Sequence, residues 1–520
     1  MQIPHVAVSL QNLPGKWIGM SGLVMLMLGA TVDFWGFGAL LRNQIKNKLA
    51  LKKGNEFRKA WTKFEDPIDF KIYIFNVTNP MEVQKGQKPI LVEIGPYFYE
   101  EYKEKMDMKD RREDDTVSFN PRDSWVFRAD KSGGLTGDEI LTIPNAALLG
   151  MALTVEREKP VALQLINKAI PFIFGDPTSV FLTAPARKLL FEGVPLYCNT
   201  TNFSAKVICS ELRKKEKDLH KLGEDIFGVS FFGMRNGTPG GRLTVKRGIE
   251  DIHDLGRVVA FNGQKKMTVW SGDPCNQFKG TDSTVFAPFI TAKDTIAAFA
   301  PDLCRAAEAE NLGPRKFKGI KGFLFNANFG DMSTDPKLKC FCTTPDTCMK
   351  KGIHDTTRCT GAPIMASLPH FLDSAPEYQD GVIGLNPSRE KHVIMMILEP
   401  LTATPMVAYK RLQFSVPIHA IEKVDLMKEL PTALVPILWV QEGMELDKKY
   451  LDKVRKIYKT RRLVNIFMWI VMIAGGGMGA AGAVLELRGR NPEMDIDQPP
   501  RRRKNPIEIA PIEISTPNKY

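Results

Sequence analysis

Eight cysteines, seven histidines and one close Ser–His pair are the residues of this sequence best suited to chemistry. Cys340-x-Cys342, Cys348 and Cys359, with His354 among them, could hold zinc through thiolates. That spacing lacks the paired C-x-x-C knuckles of structural zinc, and thiolates outside a cell would be oxidised. All eight cysteines (Cys198, Cys209, Cys275, Cys304, Cys340, Cys342, Cys348 and Cys359) fall in one central region, and an even count reads as a disulfide framework. Ser367-Leu-Pro-His370 brings a hydroxyl near an imidazole, but proximity across a proline is not catalytic geometry. The chain has no G-x-S-x-G, H-E-x-x-H or Walker loop, and no G-x-G-x-x-G after a strand. The scattered histidines read as structural. No catalytic residue, metal ligand or cofactor is expected, and the chain is read as a non-enzyme.

The elements that would position these residues begin with Val464–Val484, 21 residues without a charge. As a helix it measures about 31 Å, the hydrocarbon thickness of a bilayer. Lys459, Arg461 and Arg462 before it, and Arg488 and Arg490 after it, can anchor in headgroups. Gly475 and Gly479 form a GxxxG, followed by Ala483, a face small enough for a partner helix. A second apolar run, Trp17–Leu41, is long enough to span if Asp33 sits near one end. A cleaved signal peptide is the competing reading; against it, the run is too long and the region ahead of it is weakly basic, with Lys16 alone. Two spans leave residues 1–16 and 485–520 as tails on one side and 42–463 on the other. The positive-inside rule does not apply to so long a loop. The sequons at Asn76, Asn199, Asn202 and Asn236 all lie in it, which places it outside and both tails in the cytoplasm.

The chain is 43% apolar and 25% charged, so most of it should fold. Its net charge of +12 comes without a basic stripe interleaved with aromatics, so no nucleic-acid partner is expected. The loop has a β majority. Leu412, Phe414, Val416 and Ile418 alternate with polar residues and Pro417, the pattern of a half-buried strand near an edge. Asn262-Gly263 predicts a hairpin joining 257–261 to 266–270. Residues 393–398 read as a strand buried on both faces. Helical character concentrates in 145–223. Asn145 can cap a helix that Pro160 ends, and Leu163, Ile166 and Ile170 form a second stripe with Lys168 off it. The charged run 211–222 reads as a solvated helix face with Glu211 paired to Lys215. The Pro-rich tail 491–520 reads as disordered, with Arg501-Arg502-Arg503-Lys504 able to lie on anionic lipid.

Several stretches carry a resemblance. Tyr73-Ile-Phe-Asn-Val-Thr-Asn-Pro80, Glu93-Ile-Gly-Pro-Tyr97, Ser367-Leu-Pro-His-Phe-Leu372, Gly384-Leu-Asn-Pro387, Leu398-Glu-Pro400, Lys410-Arg-Leu-Gln413 and Val435-Pro-Ile-Leu-Trp439 resemble the class B scavenger receptors, the fatty-acid translocase family. Glu82-Val-Gln-Lys-Gly86, Glu113-Asp-Asp115, Gly134-Leu-Thr-Gly137, Arg157-Glu-Lys-Pro160 and Gly280-Thr-Asp282 are similar to its insect branch of sensory neuron membrane proteins, of the pheromone-detecting neuronal type. The resemblance implies an α+β fold: a large antiparallel β-barrel-like ectodomain with a helical bundle at its apex and an internal lipid tunnel. It implies the pairs Cys275–Cys340, Cys304–Cys359 and Cys342–Cys348, with Cys198–Cys209 as an extra insect bridge. Leu165-Ile-Asn-Lys168 matches the apex helix, whose lysine stands at the ligand entrance to attract carboxylates. The function implied is collection of lipid-like pheromones or fatty acids at the dendrite or cilium of a sensory neuron. The implied partners are the membrane, an odorant receptor with its co-receptor, and a pheromone-binding protein. Lipid clearance in support cells or gut, and particle docking at the apex, are the alternatives.

Overall fold

The computed structural model describes residues 15–214, 219–344 and 347–490. Residues 1–14 and 491–520 of the two tails, and Lys215 with the ion pair expected of it, lie outside the described residues, while 485–490 continue the closing helix. The chain divides into two units, one formed by its ends, up to Leu40 and from Ile457, and one formed by Leu41–Lys456.

The terminal unit holds two apolar helices. One run, Gly15–Leu49, is long and apolar enough to cross a membrane, and so is the closing helix, Lys448–Arg490. They pack antiparallel through glycine. A Cβ on Gly22 would lie 2.4 Å from the Gly479 nitrogen and 2.5 Å from the Gly475 oxygen, and one on Gly482 would lie 2.3 Å from the Gly19 nitrogen. The small face read at Gly475 and Gly479 therefore has a partner helix within the chain. Lys16 reaches Glu486 at 3.7 Å where the helices end together. Asp33 is not at an end of its run. It sits inside, in the π-helical turn Val32–Gly36 that interrupts the α-helix, a type of local irregularity that inserts one extra residue. Because the facing backbones already touch, Gly22→Leu should force the helices apart and cost about 1–3 kcal/mol. Gly477→Leu, with nothing within 4 Å of its Cβ, should be neutral. Thermal unfolding of the detergent-solubilised protein compares the two, and equal midpoints would refute this packing.

The large unit is built on strands β1 (Ile68–Val77), β2 (Leu91–Arg111), β3 (Thr116–Phe127), β4 (Ile140–Pro144), β5 (Phe181–Pro185) and β6 (Val194–Tyr197). There follow β7 (His220–Gly223), β8 (Ile226–Val229), β9 (Leu243–Lys246), β10 (Val258–Phe261), β11 (Ile296–Ala300) and β12 (Arg305–Phe317). The last six are β13 (Ile320–Ala327), β14 (Ile353–Asp355), β15 (Met365–Ser367), β16 (Ile394–Leu398), β17 (Pro405–Ile418) and β18 (Ala433–Glu445). The main sheet is antiparallel and runs β10-β9-β3-β2-β1-β18-β17-β16-β13-β12-β11. β1 and β18, its first and last strands along the chain, are adjacent, with Ile72 opposite Val440.

The sheet nearly closes into a barrel. Gly280 and Thr281 fill the gap between its edges: the Gly280 carbonyl accepts from Val258 N, and Thr281 exchanges hydrogen bonds with Ala297 and Phe299. Only glycine fits there, since a Cβ on Gly280 would lie 2.0 Å from the Ala297 oxygen and its φ is +74°. Closure of this kind removes exposed sheet edges.

Two strand readings change. Residues 266–270 form no strand; β10 pairs with β9, and Asn262-Gly263 closes only a Phe261–Gln264 bridge, because Trp270 is drawn into the core by its bonds to Cys304 and Asn276. β17 is central, between β16 and β18, and tolerates Pro417 near its end. Of the charged run, 211–214 lie in the helix Phe203–Lys214 and 220–222 in β7, and Glu211 pairs with Lys214 at 2.6 Å.

Candidate functional site

Helices cluster at 146–214. The Asn145 side chain accepts from Leu148 N at 3.1 Å and starts the helix Ala146–Glu158, which stops ahead of Pro160. The helix Leu163–Phe174 buries Leu163, Ile166, Ala169, Ile170 and Ile173 on one face. Lys168 is exposed on the other, seven residues after Val161 (89% exposed) and four before Phe172 (46%). Asn167 beside it is clamped to Asp425 by two hydrogen bonds, 2.6 and 2.8 Å. The neighbouring helix adds exposed Phe203 and Val207. At an exposed position Lys168 is a cation able to draw an anionic head from solution.

Inside the barrel the sequence alternation of β2 puts Tyr97, Tyr99, Glu101, Lys103 and Lys105 on one face. Around Tyr99 is an aromatic wall: Trp125 meets Phe70 at 5.5 Å, Phe232 at 5.9 Å and Phe191 at 6.2 Å. Beyond it the face is ionic. Lys103 Nζ lies 2.9 Å from Glu101, 3.3 Å from Glu442 and 3.4 Å from Asp123. Burial pushes the Glu101 carboxyl upward. Burial opposes the charge of Lys103 and Glu442 too, but their mutual attraction wins, holding the lysine high and Glu442 low. Lys105 donates to the Trp61 carbonyl at 2.9 Å and lies 4.6 Å from the Trp61 ring, and burial brings it down to about 8.

The stretches that carried the resemblance meet at one node. Glu93 accepts from His370 Nε2 at 2.6 Å and from Trp439 Nε1 at 2.7 Å. Tyr73 stacks on Trp439 at 4.0 Å, and His370 stacks on His392 at 4.3 Å. Asn386 N–H donates to His370 Nδ1, so the proton of the neutral ring is on Nε2. Gln413 accepts from His370 N, and Arg411 donates to Gln441 and to the Val393 carbonyl. Burial would raise Glu93, but the His370 and Trp439 bonds outweigh it and its carboxyl is held low. Ser367 donates to the Leu368 carbonyl, so its hydroxyl and the His370 imidazole do not meet as nucleophile and base. The motifs signalled these residues, but not that they form one network.

A second knot surrounds the cysteines. Disulfides join Cys198–Cys209, Cys275–Cys340, Cys304–Cys359 and Cys342–Cys348. His354, fully buried, bonds the Leu303 carbonyl at 3.0 Å and lies 3.5 Å from Arg305, so it is not a metal ligand in reserve. Of the sequon residues, Asn199 is exposed, Asn202 caps the helix Phe203–Lys214 through Ala205 N, and Asn76 and Asn236 accept from Thr142 N and Trp125 N. A cavity of about 200 Å³ is lined by Phe329, Lys351, Leu368, Leu372 and Asp373 among others. Another of about 110 Å³ lies beside Ala50 and Ile252. Neither is lined by the helices at 146–214, and both are smaller than the roughly 300–1,000 Å³ usual for small-molecule sites.

A model of the CD36 family matches residues 20–485. Sensory neuron membrane protein 1 of Apis mellifera is 43% identical over 477 residues, 92% of each chain. Its counterpart in Manduca sexta is 40% identical over 89% of this chain and 90% of its own, and that of Pediculus humanus subsp. corporis 41% over 89% and 92%. The resemblance carried by the scattered motifs is borne out along nearly the whole length. With its two apolar terminal helices and nearly closed barrel, this chain belongs to the CD36 family.

Proposed function

We propose that this chain is a non-enzymatic, two-pass receptor of the sensory neuron surface. It takes up lipid-like pheromones or fatty-acid derivatives at its helical end and passes them through the barrel to the membrane or an odorant-receptor complex. The observation that carries the reading is the likeness, over about nine-tenths of each chain, to proteins named for sensory neuron membranes. Four disulfides support an extracellular barrel, and the antiparallel helices support cytoplasmic tails. The aromatic wall offers an acyl chain burial worth about 0.8 kcal/mol per CH₂. Passage along the interior would require the side chains of the aromatic wall to part. Mass spectrometry of lipid co-purifying with the full-length protein tests the reading; recovery of no apolar ligand beyond the bulk membrane lipids would defeat it.

Lys168 provides a second handle. Lys168→Ala should slow uptake of an ionised fatty acid several-fold in low salt and leave a neutral ester of the same chain length unchanged. Uptake assays with the two ligands check this; equal effects would remove the charge role. The exposed Val161, Phe172 and Phe203 favour a second reading, an apolar docking face for a carrier protein. Loss of carrier binding on Phe203→Ser, with uptake of free ligand intact, would support it.

A further inference from the structure

Among the described residues, six buried side-chain polar atoms have no hydrogen-bond partner, and two of them share one site. Glu101 and Trp125 stand directly opposite each other across β2 and β3, so their side chains lie on the same face of the sheet. Glu101 is 2% exposed and Trp125 8%. Glu101 Oε1 is engaged by Lys103, while Oε2 has no partner; Trp125 Nε1–H has no acceptor. Leaving such groups unpaired costs about 1–3 kcal/mol each, so native proteins rarely do so without a use.

We propose that Glu101 and Trp125 form an internal seat for the oxygen-bearing head of an otherwise apolar ligand, a neutral carbonyl compound such as a long-chain aldehyde or ester. This assignment rests on the transport reading above and names the class of its cargo. The indole is a donor only. Burial raises the Glu101 carboxyl, which favours its neutral acid and so a second donor beside the first. Two donors suit the two lone pairs of a carbonyl oxygen. An ionised carboxylate would instead meet Asp123 and Glu442, whose common counter-ion Lys103 is already shared between them. The rest of the seat matches an acyl chain: Phe70, Phe191 and Phe232 pack around Trp125, so the polar pair borders an aromatic surface. The layout is amphipathic in the same sense as the ligand.

The test uses full-length protein in detergent and displacement of a bound fluorescent acyl probe by hexadecane, hexadecanal or palmitate. Wild type should prefer hexadecanal over hexadecane about five- to tenfold, the effect of one or two hydrogen bonds. Trp125→Phe, which keeps an aromatic ring but no N–H, should erase most of that preference, read as the ratio of hexadecanal to hexadecane affinity within each variant. Glu101→Gln, which retains a donor, should keep it, while Glu101→Met should lose it. An unaltered preference in Trp125→Phe overturns the seat and leaves a shared buried water as the use of the two groups. A stronger binding of palmitate than hexadecanal overturns the neutral-head assignment. If wild type binds none of the three, the transport reading falls first and the seat with it.

Discussion

Lys103→Met should destabilise the protein by about 3–5 kcal/mol, the usual cost of removing one partner from a buried ionic group. The lysine is the common counter-ion of Glu101, Asp123 and Glu442, and its side chain is 16% exposed. Without it the carboxylates face one another in a poorly solvated interior: Glu101, already raised by burial, would rise further, and Glu442 would lose the attraction that holds it low. The penalty should therefore be largest near pH 7.5 and shrink towards pH 5, as protons replace the lost cation. Adding Glu442→Gln should recover part of the loss. Thermal unfolding of full-length protein in detergent measures both effects. A loss under 1 kcal/mol, or one independent of pH, would show that this cluster is solvated rather than buried.

Wild-type stability should itself fall as the medium is acidified from pH 6.5 to 4. His354 is held down to about 3, first by burial and then by Arg305, whose own charge burial brings down to about 10. His392 is held down to about 4 by burial and then by charge repulsion from His370, with Glu93 opposing and Arg411 and Lys391 adding to the effect. In both cases the folded value lies below the unfolded one of 6.5, so below pH 6.5 the unfolded chain binds more protons. Stability is undiminished above that pH and is lost as pH drops towards the folded values. Glu93, held low, acts in the same direction below about pH 4.5, while Glu101, raised by burial, works against it and is outweighed by the two histidines. For His354 alone the loss at pH 4 is about 3 kcal/mol, at about 1.4 kcal/mol per unit. His354→Gln should flatten the dependence of unfolding temperature on pH between 6.5 and 4. A slope identical to wild type would clear His354 of this role.

Local signals were readable where local physics decides. Asn145 caps and Pro160 stops a helix because capping and the missing N–H act within a few residues. The two apolar runs announce themselves by length. By contrast, Glu101, Lys103 and Lys105 look like the solvated side of a strand. They are buried because Gly280 and Thr281 draw the sheet edges together, a contact no period in β2 could reveal. Glu93 and His370 were visible as motifs, but their pairing spans most of the chain. The same distance explains the hairpin that did not form: Asn262-Gly263 favours a turn, and Trp270 finds better partners elsewhere.

The adjacency of β1 and β18, like that of Gly22 and Gly475, has a consequence for how the molecule is made. The barrel cannot be completed until its final stave has left the ribosome, and the leading hydrophobic helix must wait in the bilayer for a mate synthesised last. During that interval a nascent chain carries an unfinished sheet with open edges, the condition that invites aggregation and chaperone capture. Chains cut short before Ala433 should therefore be recognised as failures by quality control instead of surviving as smaller working receptors.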